Sequence, residues 1–365
     1  MKTNPFKFGT IVDGEFFIDR KDELRDISSY IESENHLTLI SPRRYGKTSL
    51  IKKIIKDSAR QSIYLDLQLI LSVQDFAAQL LKRIYRIYPV QKLKAYIKSF
   101  RIIPVVNINP VTGQTEVSFK PEIQTMAPLE DVLNLAEKLS DGRKKLVVVL
   151  DEFHEIFRID TTLDRFLRSV MQSHKNINYV ILGSNESMLR EIFEKKSSPF
   201  YRFGILMKLE KIPKPEFYAF LSDKFRKLNK NYENISNQII DITDSHPFYT
   251  QQLAFEVWEN LVLSGFRDDI VDVTADKLIH NHDNDFERLW NTLNRIDMII
   301  LTGIASSPAS PLSEEFSRAF DTGATTTVYS SLQRLVNRGM LVKEKKKYII
   351  DDPFFKRWIL YRRQV

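Results

Sequence analysis

The chain has 365 residues, enough for two or three domains with full-sized cores. Its 43% hydrophobic and 28% charged residues are ordinary for a soluble globular protein, and a net charge of +7 permits an acidic partner such as nucleic acid without requiring one. The absence of cysteine excludes disulfides, thiolate zinc sites and cysteine nucleophiles and fits a reducing compartment. Met1–Phe6 has no apolar core of a signal peptide, and no run approaches the ~18 apolar residues of a membrane span. A cytoplasmic location and no membrane partner are therefore expected.

Five short apolar runs read as strands: His36–Ile40, Ile63–Leu67, Leu146–Leu150, Tyr179–Leu182 and Ile205–Leu209. Between them apolar residues recur at helical spacing, as in Leu50, Ile51, Ile54 and Ile55 or Leu163, Phe166, Leu167 and Val170. Strands alternating with amphipathic helices predict an α/β fold with a parallel sheet covered on both faces. Residues 102–123 interrupt the pattern and read as an inserted β-hairpin turning at Asn109–Gly113. After Ile212-Pro213-Lys214-Pro215 the strands stop, and residues up to about 290 read as helices with breaks near Asn229 and at Ser245-His246-Pro247. Ile296–Ala305, Ser313–Phe320 and Thr325–Asn337 read as three short helices, the third closed by Gly339, and a hairpin through Met340–Val342 and Tyr348–Ile350 follows. Three helices and a hairpin form the winged-helix pattern. The expected domains are 1–212, 213–290 and 291–365.

The first strand leads into Ser41-Pro42-Arg43-Arg44-Tyr45-Gly46-Lys47-Thr48-Ser49 and then into a helix. This is a Walker A phosphate loop with Ser41 in place of the first glycine. Backbone N–H groups at a helix start attract phosphates, Gly46 lets the main chain approach them, Lys47 reaches the β and γ phosphates, and the Thr48 hydroxyl suits Mg²⁺. Serine is tolerated at 41 provided its φ is negative. Downstream, Val147–Leu150 delivers Asp151 and Glu152 at a strand's carboxyl end, where ligands bind in such sheets. Asp151 is expected to hold Mg²⁺ through water, and Glu152 to orient the attacking water. ATP and Mg²⁺ are thus the expected ligands.

Other candidates carry two readings each. Ser184, after the fourth strand, is a γ-phosphate sensor or part of a helix-capping turn with Asn185. Arg202 is an arginine finger, in cis or in trans, or a loop-stabilising charge. Of Arg43 and Arg44, one is expected to touch a phosphate or a neighbouring subunit and the other to be a solvated or structural charge. His280, His282, Asp283 and Asp285 read as a solvated helix face rather than a metal site.

Together these residues resemble the prokaryotic and archaeal ATPases of the AAA+/STAND group, P-loop proteins of the additional-strand (ASCE) division, over nearly the whole chain. Phe17-Ile18-Asp19-Arg20-Lys21-Asp22-Glu23-Leu24 resembles the group's F-x-x-R-x-x-E-L box, which packs near the adenine. Pro42–Ser49 is similar to its P-R-R-x-G-K-T-S loop, and Asp151-Glu152-Phe153 to its Walker B. Tyr201-Arg202 falls at a Y-G-R-like segment without the glycine, and Ser245–Tyr249 resembles its G-x-P-F-Y lid turn with serine for glycine. The resemblance implies that this turn, including Pro247, lies over the nucleotide, and that residues 213–290 are a helical lid.

In the winged helix, Thr326, Tyr329, Ser330, Gln333 and Arg334 are the expected outward residues of the third helix. Residues 343–365 hold eight Lys/Arg and three Asp/Glu, a net of +5. Double-stranded DNA and a protein partner are both compatible with this domain, and a homo-oligomer is compatible with Arg202 acting in trans. The expected function is an ATP-hydrolysing switch or motor; the alternative is a nucleotide-gated DNA-binding or adaptor protein with little turnover. A small-molecule kinase is disfavoured by Glu152 and by the winged-helix tail.

Overall fold

The computed structural model describes residues 3–362 apart from 13, 19, 34, 59, 110–114, 121–124, 141–144 and 346. The chain divides into two compact units. One comprises Lys21–Ser41 and Leu50–Leu209, and the other Met1–Arg20, Pro42–Ser49 and Glu210–Val365.

The first unit is built on strands β1 (Leu37–Ile40), β2 (Ser62–Asp66), β3 (Val105–Ile108), β4 (Thr115–Ser118), β5 (Leu146–Asp151), β6 (Ile177–Gly183) and β7 (Ile205–Lys208). Five of them form one sheet in the order β2-β5-β6-β1-β7, and every neighbouring pair is parallel. An additional strand, β6, thus lies between β1 and β5, as the expected P-loop class requires. β1, β5 and β6 are buried along their whole length, which explains their unbroken apolar sequence; β2 at an edge alternates. The helix Val73–Ile87 starts at Ser72, whose hydroxyl accepts the Asp75 N–H, and buries Phe76, Leu80, Leu81 and Ile84.

β3 and β4 pair antiparallel, Val105 opposite Ser118 and Ile108 opposite Thr115, and β4 packs on the helix Val73–Ile87. The turn expected at Asn109–Gly113 falls mostly outside the described residues. Two helices around this insertion, Val90–Ile97 and Ala127–Leu139, were not expected from the sequence.

In the second unit, five helices run Lys214–Arg226, Tyr232–Thr243, Pro247–Ser264, Ile270–Asn281 and Asp283–Asn291. Phe217, Leu221, Phe225, Leu253, Val257 and Trp258 form their core, joined by Phe6, whose ring centroid lies 5.0 Å from that of Phe225. Helices Arg295–Ser306, Glu314–Phe320 and Thr325–Asn337 follow, then the antiparallel pair β8 (Leu341–Glu344) and β9 (Lys347–Ile350), then a closing helix Pro353–Arg362. Gly303 is required by packing: a Cβ there would lie 2.3 Å from the Phe316 ring. Asp297, 1% exposed, accepts bonds from Ser331 and from Arg334 at 3.0 and 2.7 Å, fixing the third helix on the first. Of the residues expected to face outward, Thr326, Tyr329 and Ser330 are exposed, whereas Gln333 and Arg334 are partly buried and Arg334 is held in the ion pair with Asp297, which corrects the expectation for it. Among the described residues, no helix is long and apolar enough to cross a membrane.

Candidate nucleotide site

Ser41 directly follows β1 at the carboxyl edge of the sheet. It is fully buried, its N–H donates to the Gly183 carbonyl at 3.4 Å, and it is not among the residues with positive φ, so the missing glycine costs no backbone strain. The loop that follows bends through left-handed backbone at Arg44 (φ 66) and Gly46 (φ 90), with Tyr45 buried between them. Lys47, 6% exposed, donates Nζ to the Pro42 carbonyl at 3.2 Å and opens the helix Lys47–Asp57; Thr48 and Ser49 sit in that helix's first turn. The Ser49 hydroxyl accepts the Val12 N–H at 3.1 Å. Arg20, buried and in left-handed backbone (φ 59), donates Nη2 to the carbonyls of Tyr45 and Glu210, each at 3.0 Å. Arg44 is turned to the helix Pro247–Ser264: Nη1 donates to the Tyr249 hydroxyl at 3.0 Å, and the guanidinium lies 4.6 Å from the Phe248 ring centre. Arg43 is exposed, and Phe17 is half-buried. Pro247 opens its helix at the first position, where a missing N–H is harmless, and the His246 side chain accepts the Phe248 N–H.

In the α/β unit, β5 ends in the acidic pair. The Asp151 carboxylate accepts the Glu152 N–H at 2.9 Å and a hydrogen bond from the Tyr64 hydroxyl on β2. Glu152 has left-handed backbone (φ 52), an unusual conformation for a non-glycine residue and one associated with functional sites. Its Oε2 accepts both the N–H and the hydroxyl of Ser184, at 3.0 and 2.8 Å, from the end of neighbouring β6. Asn185 caps the next helix through Met188 N–H, so capping and the Ser184 contact coexist. Asp66 on β2, in register with Asp151, has its pKa raised chiefly by burial and further by Asp151, Glu152 and Glu155. This edge therefore concentrates negative charge on oxygen donors, and among the described residues no group of three or more His, Asp or Glu is arranged to hold a metal ion.

Arg202 is at the opposite edge. Its N–H donates to Phe193 O, near the end of the helix Glu186–Glu194 that descends from β6. Two residues on, a Cβ at Gly204 would lie 2.4 Å from His36 O, just before β1 begins. The four residues of β1, about 13 Å, thus separate Arg202 from the edge bearing Ser41 and Asp151. Arg202 takes φ 53 at the position after Tyr201, where the resembling ATPases have glycine. Sequence reasoning missed Tyr64, whose only signal was a polar hydroxyl inside an apolar strand. It also missed the tie between Arg44 and Tyr249, which no local pattern encodes.

This combination defines a P-loop ATPase-type protein with an AAA+-like fold and a C-terminal winged helix. A family described as an ATPase domain predominantly from Archaea matches residues 17–253, and the chain belongs to it. A second family, a probable winged helix domain, matches residues 284–361. The fold is similar to that of a Walker-type ATPase of Pyrococcus abyssi, at 20% identity, TM-score 0.67, covering 94% of this chain and 96% of that one. It is also similar to the ORC2 protein of Aeropyrum pernix, solved in ADPNP–ADP complexes, at 15% identity and TM-score 0.54, covering 98% and 99%. No curated protein matches the chain.

Proposed function

We propose that the protein binds ATP with Mg²⁺ and hydrolyses it, working as a conformational switch or motor of the AAA+/STAND kind. The observation that carries this reading is Glu152: it has left-handed backbone, one carboxylate oxygen is fixed by two donors from Ser184, and it stands beside Asp151 at the carboxyl edge where β1 runs into the phosphate loop. Membership in the archaeal ATPase-domain family supports it, as does the binding of ADPNP and ADP by the ORC2 protein.

In this reading Pro42–Ser49 hold the phosphates through backbone N–H groups, with Lys47 on the β and γ oxygens. Thr48 and, through water, Asp151 would hold Mg²⁺, which would supply charge neutralisation at the phosphates. Glu152 orients and polarises the attacking water while Ser184 keeps its carboxylate aimed. Phe17, Arg20 and Pro247 frame the nucleotide, Arg20 by supporting the loop backbone at Tyr45. Arg202 belongs to the opposite edge of its own sheet, so any catalytic action it has is on the nucleotide of a neighbouring copy. The working division of the chain is an ATPase domain 1–212, a helical lid 213–290 and a winged helix 291–365.

The test is steady-state Mg-ATP hydrolysis by wild type and Glu152→Gln. Turnover falls by about 10²-fold or more in the variant while ATP binding persists. Equal turnover in both proteins would remove Glu152 from the mechanism. A second reading, nucleotide-gated DNA binding or adaptor function with little turnover, is favoured by one feature. The wing exposes Lys343, Lys345 and Lys347 beside a third helix that exposes Thr326, Tyr329 and Ser330. On double-stranded DNA these lysines would meet phosphates, with binding that weakens steeply as salt rises; a protein partner on the same face would lack that dependence.

A further inference from the structure

The phosphate loop is gripped from the far end of the chain. Tyr45, 2% exposed, donates its hydroxyl to Asp351 Oδ1 at 3.2 Å, and Asp351 is the residue directly after β9 of the winged helix. Arg44 donates to the Tyr249 hydroxyl at 3.0 Å, and Tyr249 in turn hydrogen-bonds Asp352. Asp352 also accepts the N–H groups of Phe354 and Phe355, at 2.9 and 3.0 Å, and so caps the closing helix. Two consecutive loop residues thus reach two consecutive acids, one directly and one through Tyr249. Both acids lie outside residues 17–253, the segment matching the ATPase family.

The placement matters because the left-handed bends of the loop, at Arg44 and Gly46, flank Tyr45. A buried anchor between two bends decides how the backbone N–H groups on either side are presented. Phosphate recognition depends on those N–H groups converging. We propose that Asp351 is a positioning residue of the nucleotide site: by holding Tyr45, while Asp352 holds Arg44 through Tyr249, it fixes the bend of the phosphate loop. The winged-helix segment then sets the affinity for phosphates, and by reciprocity a bound nucleotide strengthens the docking of that segment. This rests on the nucleotide-binding reading above.

The surroundings of Asp351 are consistent with an adjustable anchor. His246 Nε2 lies 3.8 Å away, and the His246 ring stands edge-on to Tyr45 at 5.0 Å. Lys211 pairs with Asp244 at 2.8 Å and with Glu344 of β8 at 3.2 Å. Burial raises the Asp351 carboxyl to about 7, against the opposing pull of the Tyr45 hydrogen bond and Lys211, while Asp352 and Glu344 push it further up.

The experiment is a double-mutant cycle on full-length protein, read as the Kd for a fluorescent ATP analogue, with the thermal midpoint of each variant recorded beside it. Tyr45→Phe and Asp351→Ala should each weaken binding by about three- to tenfold, and the double variant should lose no more than either one. Asp351→Asn, which keeps an acceptor oxygen, should recover most of the affinity, a rescue that simple loss of stability would not track. Wild-type affinity in a folded Asp351→Ala, or losses that multiply in the double variant, overturns the proposal. Should Asp351→Ala fail to fold, Tyr45→Phe decides alone, since it removes one hydroxyl, and wild-type affinity there overturns it equally. If the wild type itself binds no ATP, the nucleotide-site reading fails; if it binds and the variants match it, only the positioning role fails.

Discussion

Ser245 holds a left-handed backbone (φ 55) at the position where the resembling ATPases carry glycine, and its hydroxyl is buried with no hydrogen-bond partner among the described residues. Both features cost free energy that glycine would not. Ser245→Gly should therefore raise the unfolding free energy by about 1 kcal/mol, seen as a higher thermal midpoint; a lower midpoint would mean that the hydroxyl has a use. A second residue predicts pH behaviour. Burial, together with Arg168, Lys145 and His174, lowers the His36 pKa to about 4. The folded chain therefore refuses a proton that the unfolded chain accepts below its ordinary value near 6.5. The stability involved is complete above pH 6.5 and is lost as pH falls from there towards 4. His36→Gln should make this acid limb shallower in urea melts at pH 4.5 and 7, leaving the slope from His246 and His174, whose pKa values burial also lowers; an unchanged limb would contradict the assignment. At this scale the phosphate loop and the acidic pair were legible because their chemistry is carried by consecutive residues. Tyr64 bonding Asp151 and Tyr45 bonding Asp351 were not, because each pair joins residues 87 and 306 positions apart.

Elements follow the same logic. The strands were readable as apolar runs because β1, β5 and β6 are buried on both faces. The helices Val90–Ile97 and Ala127–Leu139 escaped because the hairpin between them breaks the periodicity on either side. The closing helix Pro353–Arg362 buries Phe354, Phe355, Trp358 and Ile359, which are spaced for one helical face. The loop carrying Arg202 is clamped rather than loose: Arg168 donates to Pro199 O at 2.9 Å and lies 5.0 Å from the Phe203 ring centre, and His36 stacks on Phe203 at 4.4 Å. In the winged helix, the third helix depends on Asp297. Asp297→Ala would strand Ser331 and Arg334, and we expect a loss of about 2 kcal/mol in the stability of that region. Hydrogen exchange of the helix Thr325–Asn337 would register it as faster exchange, and unchanged protection would show the ion pair to be dispensable.

For the whole molecule, the sheet separates two sets of candidate residues by a strand length. The carboxyl edge carries Ser41, Asp151 and Glu152, and the amino edge carries Arg202, so an active assembly needs more than one copy if Arg202 is catalytic. Arg202→Ala and Glu152→Gln, each inactive alone, should regain hydrolysis when mixed, because an Arg202→Ala copy keeps Glu152 and receives Arg202 from its neighbour. No recovery would return Arg202 to a loop-stabilising role. The sequence leaves Arg202 with both readings, arginine finger and loop-stabilising charge, and is compatible with a homo-oligomer without requiring one. The central claim remains hydrolysis, and the most direct measurement of it is the steady-state release of phosphate from Mg-ATP by wild type and by Glu152→Gln at matched ATP occupancy. The account predicts turnover in the wild type and a loss of about 10²-fold or more in the variant with binding retained. Saturating ATP binding with no phosphate released by the wild type would contradict it and favour a nucleotide-gated adaptor.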